Sequence, residues 1–412
     1  MVRGTEYDLA MASSQICFSD LFSHSVVVLG DGDFSFAAAL ARLERRPAHL
    51  CATALKARPD AADAARCDAL AATQQCSVHH GVDATQLASW PPAAAETETD
   101  RVVFNFPHAG RKIQLNRALL VGFFAAAAAR LRSSSTSRDG DAADAEVWVT
   151  LCAGQGGTPF ELTALAKEAS EETGGGKSGS SSSSSCGPLN SWDVVDAGAR
   201  AGLVLRRCAP PDLAPLLELG YAPGGYRDQS SYKGTVIPPR FWKNARTHIF
   251  GFPARDRAMV WAPIHCKDVA FWHVHNESSA DSLAHFRRVL AAEVGAAVGS
   301  SASVVVDDPS AALLAPKVGD PAAAAGGGCS SVSVIVEDSI EIIDEYLDVK
   351  NGRCSRTLRV GLRSSTSACV ALDRRTANAI ADAVRAQMDR DFSLSLAEEA
   401  ARDVITRSVE EV

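Results

Sequence analysis

The sequence has no apolar run approaching the ~20 residues that a membrane-spanning helix requires, so no spanning helix is expected. It also has no CxxC pair. Its 11 cysteines, Cys17, Cys51, Cys67, Cys76, Cys152, Cys186, Cys208, Cys266, Cys329, Cys354 and Cys369, show no other close metal-ligand spacing, so no zinc or other metal is expected. Odd in number and scattered, they fit buried thiols in a reducing compartment better than a disulfide framework. The N-terminal stretch lacks the apolar core of a signal peptide and carries Glu6, Asp8 and Asp20, so no secretory or transit address is expected and the protein is expected to be intracellular. Basic excess is missing too. Lys and Arg number 41 against 49 Asp and Glu, a net charge of -8, which excludes a protein that coats nucleic acid through bulk charge. Any RNA contact has to come from local patches. No repeat of solenoid length is present.

What is present suits globular protein, with 46% hydrophobic and 22% charged residues. A chain of 412 residues exceeds one ordinary core, so two domains are expected. From Ser25, VVVLG is an apolar run without alternation, as in a central parallel strand covered on both faces. DGDFSFAAALARLERR follows as a glycine turn and a helix over 34–46. LCATAL, SVHHGVDAT up to Asp83, DRVVFNFPH and EVWVTLCAG supply further strands, with a helix over 116–132 before the last of these. Strands alternating with helices predict a doubly wound parallel sheet in an α/β domain. Residues 1–24 read as an N-terminal extension, 25–253 as this domain and 254–267 as a linker. Residues 168–187, with GGGKSGSSSSSS, are expected to be a disordered insertion. Within 268–412, DVAFWHVH, SVSVIVEDSIEIIDEY and SRTLRVGLRS read as strands, and SLAHFRRVLAAEV and RRTANAIADAVRAQMDRDF as helices. Leu358, Val360 and Leu362 alternate with Thr357, Arg359 and Arg363, which predicts an antiparallel sheet with helices on one face. The Ala/Gly/Ser-rich stretch 299–331 reads as a flexible insertion.

Three segments can carry chemistry. In LGDGDFSF, Gly30 and Gly32 let backbone approach a ligand closely, though a tight strand-to-helix turn needs glycine without any ligand. Asp31 and Asp33 disfavour a phosphate there and suit the cationic ammonium or sulfonium of S-adenosylmethionine (SAM). Asp83 can accept a hydrogen bond from an adenine amino group or simply cap a helix. In FNFPHAG, a polar side chain and a proline end a buried strand as a rigid ledge. Asn105 can hold a base edge, and Phe106 or His108 can stack on it; the alternative is a strand-ending Pro107 beside an exposed histidine. The ledge resembles the Asn-Pro-Pro-aromatic tetrapeptide of nitrogen methyltransferases, with Phe106 at the first proline position. An imide nitrogen must lose its proton on methylation, and His108 is the candidate acceptor. In the second domain Arg353, Arg356, Arg359 and Arg363 can track phosphates or pair with the acidic EDSIEIIDEY stretch.

Through VVVLGDGDFSF, GVDAT, DRVVFNFPHAG and EVWVTLCAGQGG, the first domain resembles the ribosomal RNA uridine-N3 methyltransferases. Through CKDVAFW, IIDEY, GRCSRT and RVGLRS, the second resembles the ferredoxin-fold anticodon-binding domain found at the end of phenylalanyl-tRNA synthetases. The resemblance implies a Rossmann-like doubly wound methyltransferase sheet followed by a C-terminal α+β ferredoxin-like domain. It implies SAM as cofactor at Gly30, Asp31, Gly32, Asp33, Phe34, Ser35 and Asp83, catalysis at Asn105, Pro107 and His108, and RNA contact at Arg353, Arg356, Arg359 and Arg363. The implied substrate is rRNA, with tRNA or a non-catalytic RNA-binding role as alternatives, and the implied location is cytoplasmic or nucleolar. The sequence departs from the SAM-binding pattern at ATALKA, where Lys56 stands in place of the usual ribose-gripping acid.

Overall fold

The computed structural model describes residues 15–59, 61–92, 99–135, 144–152, 154–161, 191–223, 244–253, 259–274, 278–298, 302–306, 332–336, 340–348, 350, 353–364 and 371–410. The 168–187 insertion lies outside the described residues. Two compact units divide between Trp261 and Ala262.

The first unit contains β1 (Ile16–Cys17), β2 (Ser25–Leu29), α1 (Ser35–Leu40), β3 (His49–Ala54), α2 (Ala61–Ala71), β4 (Cys76–His80) and β5 (Arg101–Asn105). It continues with α3 (Ile113–Ser135), β6 (Glu146–Leu151), α4 (Val194–Arg200), β7 (Val204–Ala209), β8 (Pro211–Asp212), α5 (Ala214–Glu218) and β9 (Arg246–Gly251). Seven strands form one sheet in the order β4-β3-β2-β5-β6-β9-β7. Neighbours from β4 through β6 are parallel, and β9 runs against both β6 and β7. Counted from β2 this is the Rossmann order with one reversed strand between the last two. The sheet is therefore Rossmann-like and mixed, where an all-parallel one was expected; β9 supplies the reversal.

Both faces are covered, as the unalternating VVVL requires. Val26 and Val28 face a cluster with Phe34, Phe36, Leu70, Leu216 and Trp148. Val27 and Leu29 face Leu120, Phe123, Phe124 and Val194. Two further expectations change. The N-terminal extension is structural from Ile16, because Ile16, Phe18 and Leu21 are buried in the first cluster and β1 pairs with β8. The helix expected over 34–46 stops at Leu40; all six residues of α1 are buried, and the polar Arg42 turns aside to donate to the Leu219 carbonyl at 3.2 Å.

The second unit contains β10 (His265–Val274), α6 (Ser279–Val298), β11 (Ala302–Val306), β12 (Val332–Val336), β13 (Glu341–Asp348), β14 (Arg353–Ser364) and α7 (Arg374–Glu410). β10 starts within the stretch expected to be linker. β14 is antiparallel to β10, β12 and β13, and Leu358, Val360 and Leu362 point into a core with Phe271, Phe286, Leu290, Ile380 and Val384 from the strands and both helices. The expected all-antiparallel sheet is mixed as well, since β11 and β12 pair in parallel. β11 also occupies part of 299–331, because ASVVV is β-branched and apolar; residues 307–331 lie outside the described residues.

Candidate functional site

In open α/β sheets ligands bind at the carboxyl ends of the strands where the strand order reverses. Here that point lies between β2 and β5. The first is followed by LGDGDFSF and the second ends in FNFPH, so the topology brings together the two segments singled out above.

The glycine turn is shaped from inside. Gly30 has φ +64°, and a Cβ there would lie 2.6 Å from the Phe104 ring. Gly32 faces open space, with nothing among the described residues within 4 Å of an added Cβ. The expected ligand carboxylates are otherwise engaged. Asp31 is 9% exposed and its Oδ2 accepts the Ala37 N–H at 2.7 Å. Burial pushes its carboxyl up to about 7, against the Ala37 N–H, which favours the charged form. Asp33 Oδ1 accepts the Ser35 N–H at 3.0 Å, and Arg66 lies 3.6 Å from the other oxygen. Phe34 and Ser35, expected at the cofactor, are buried. Phe34 packs edge-on to His80, and Ser35 Oγ accepts the Ala222 N–H at 3.2 Å. These four residues hold the turn, and Gly32 is the open position. Asp83 sits three residues past the end of β4 and caps locally, its Oδ1 accepting both the N–H and the hydroxyl of Thr85 at 2.8 Å. Lys56 is exposed two residues beyond β3, and its carbonyl accepts the Gly81 N–H.

The ledge differs. Both polar atoms of the Asn105 side chain are buried, and neither Nδ2 nor Oδ1 has a hydrogen-bond partner among the described residues. Leaving such a donor and acceptor unpaired costs about 1–3 kcal/mol each, so both are open to groups that arrive from outside. Phe106 does not stack outward as the sequence suggested: its φ of +50° turns the ring into the core, 4% exposed, while its N–H donates to the Thr150 carbonyl. Pro107 is buried and fixes the next step of the chain. His108 is half-exposed, lies over Trp192 with ring centroids 6.1 Å apart and planes at 24°, and burial holds its imidazole below the ordinary histidine range. Asn116 locks the ledge, accepting the Ala109 N–H at 2.8 Å and donating to the Gly110 carbonyl at 2.9 Å. Three residues with φ above zero and a full side chain, Phe34, Phe106 and Asp193, fall in these segments and the one carrying Trp192. Such strain persists where surrounding contacts enforce it.

Two further groups escaped the sequence reading. Trp192 stands in NSWDVV, just before α4, where nothing in the sequence marks it as a site residue. Glu161 follows Thr158 at capping-box spacing, yet its carboxylate accepts the Gly156 and Gly157 N–H groups at 3.1 and 2.9 Å and faces the buried His248 Nε2 at 3.4 Å. Burial opposes a charged His248, but Cys208 and Glu161 outweigh it and raise the imidazole to about 10.

The arginines of the second unit form a ladder. Arg353 pairs with Asp348 at 3.1 Å, Arg356 with Glu345 at 2.6 Å, and Arg359 with Asp268 through two bonds of 2.8 and 2.9 Å. Each pair is directly opposed in strand register. Arg356 lies on the buried side of β14, opposite the side of Arg353, Arg359 and Arg363, so the four do not form one surface. Among the described residues His273, Glu345 and Cys354 bring potential ligand atoms within 4.8 Å of one another. There the Arg356 guanidinium already holds Glu345, and burial keeps the Cys354 thiol protonated. Among the described residues no helix is long and apolar enough to cross a membrane.

Residues 27–212 match the family model described as BMT5-like, rRNA (uridine-N3-)-methyltransferase BTM5-like. The chain is 36% identical over 212 residues to ferredoxin-fold anticodon-binding domain-containing protein 1 of Homo sapiens, covering 50% of this chain and 28% of that one. It is 33% identical over 230 residues to the Mus musculus homolog, covering 55% and 30%. It thus spans less than a third of these curated relatives. A solved 16S rRNA methyltransferase, KamB, aligns at 14% identity with a TM-score of 0.28, covering 57% of this chain and 90% of its own.

Proposed function

We propose that this chain, whose residues 27–212 match the BMT5-like family, is a SAM-dependent RNA methyltransferase that modifies N3 of a uridine in rRNA. One observation carries the reading: the buried Asn105 amide, without a partner among the described residues, stands at the strand-order reversal beside Pro107 and His108. An amide offers one acceptor and one donor side by side, and the imide edge of uracil offers a donor N–H flanked by carbonyl acceptors. SAM supplies an electrophilic methyl group, and the open space at Gly32 suits a bulky ligand against the turn. Asn105 Nδ2 donates to a uracil carbonyl and stabilises the negative charge that grows there as N3 loses its proton. His108, kept neutral by burial, accepts that proton. Pro107 restricts the backbone between the two. An rRNA substrate places the protein in the nucleolus or cytoplasm.

A second reading, an RNA-binding scaffold without catalysis, is favoured by the inward engagement of Asp31, Asp33 and Asp83. Calorimetric titration with SAM separates the two. Micromolar binding that is lost in Gly32→Trp, a change the open space lets the fold accept, supports the enzyme; no binding to either protein supports the scaffold.

A further inference from the structure

We propose that Trp192 is a positioning residue that holds the His108 imidazole in its working orientation, and that Glu161 keeps Trp192 in place through the glycine loop after β6. The inference rests on the methyltransferase reading of the ledge. The two rings lie within the 4.5–7 Å window of aromatic pairs, at 6.1 Å and 24°, so the indole face limits how the half-exposed imidazole turns. Trp192 is itself 5% exposed and fixed on several sides. Its backbone N–H donates to the Gln155 carbonyl at 2.6 Å, and the Val194 N–H donates to the Gly156 carbonyl at 3.2 Å. Arg117 donates twice to the Ser191 carbonyl and pairs with Asp193 at 3.2 Å.

The loop that receives these bonds is the one Glu161 grips. A Cβ on Gly156 would lie 2.4 Å from Glu161 Oε1, and a Cβ on Gly157 1.9 Å from Ser191 Oγ, so loop, carboxylate and Trp192 segment are packed without slack. The ledge and its backstop also share one helix: Asn116 secures the first and Arg117 the second, as successive residues of α3. A displacement of about 1 Å in a proton acceptor costs about 100-fold in rate, which is enough to account for so many bonds spent on the backbone segment that carries one indole.

The test compares Trp192→Leu, Trp192→Phe and Arg117→Gln with the unaltered chain. Three quantities are read: SAM affinity by calorimetry, methyl transfer to RNA, and the titration of His108 followed by NMR of its imidazole. Trp192→Leu is expected to lose about 100-fold in transfer with SAM affinity unchanged, and its His108 titration is expected to move up as water reaches the ring. Trp192→Phe restores both. Arg117→Gln, which frees the segment without opening a cavity, shifts the titration the same way and keeps the test alive if Trp192→Leu does not fold. A folded Trp192→Leu or Arg117→Gln with unaltered transfer and unaltered His108 titration overturns the proposal. If the unaltered chain methylates no RNA, the functional reading fails by itself, and the His108 titration still decides whether Trp192 positions that ring.

Discussion

The arginine ladder of the second unit and the ledge of the first handle buried and half-buried polarity in opposite ways. In the second unit each of three arginines meets a carboxylate directly across the strands, so its charge is matched by the fold itself. In the first unit the side chain at the end of β5 has both polar atoms buried and unmatched among the described residues. Matched groups stabilise and specify register; an unmatched one at a strand-order reversal costs stability and is kept for what it binds.

The contrast breaks most sharply at Asn105. Asn105→Leu is expected to lower methyl transfer by about 100- to 1000-fold while raising stability by about 1 kcal/mol, read by transfer assay and urea melts. Arg356→Ala is expected to do the reverse, losing about 1–3 kcal/mol with transfer unaffected, because the Arg356 side chain is only 7% exposed and bonded to Glu345.

Two pH dependences sharpen it further. Asp31 is raised from 3.8 to about 7, so between these values the folded state holds a proton that the unfolded state has released. Stability therefore falls as pH rises through that window, and Asp31→Asn flattens this part of a pH-resolved melting curve. His248 is raised from 6.5 to about 10, so its contribution is full below 6.5 and is lost as pH climbs through 10. Cys208→Ala removes the larger part of that alkaline loss and Glu161→Gln a smaller part. The smallest effect is expected at the exposed pair: Arg359→Ala changes stability by less than about 1 kcal/mol. It is also expected to leave the salt dependence of RNA binding unchanged, measured by titration at several ionic strengths.

Much of the first fold was legible because its signals are local. VVVL without alternation and a glycine turn running into an alanine-rich helix mark a covered strand and its crossover. The reversal of β9 was not legible, because the residues of a strand do not fix its direction and only its neighbours decide. At the site, LGDGDF and FNFPH were found because glycine and proline mark backbone geometry. Whether a side chain points out or in was hidden. Phe34 and Phe106 adopt positive φ, which no propensity would assign to phenylalanine, and Asp31 turns inward to accept the Ala37 N–H in the first turn of α1. The arginine ladder required strand register, which alternation alone leaves open by whole steps of two.

The position of β9 bears on how the chain is made. β7 is finished at residue 209, yet its place in the sheet is defined only by β9, which ends at residue 251. During synthesis at about 5–20 residues per second, β6 waits for some seconds with an open, apolar edge. Val147 and Val149 on β6 and Val204 and Leu205 on β7 are β-branched or aliphatic, a composition that pairs readily with other nascent strands. A ribosome stalled before Arg246 would thus carry a sheet with its last seam unsewn, and the yield of soluble protein should depend on how quickly translation crosses the stretch between Ala209 and Gly251.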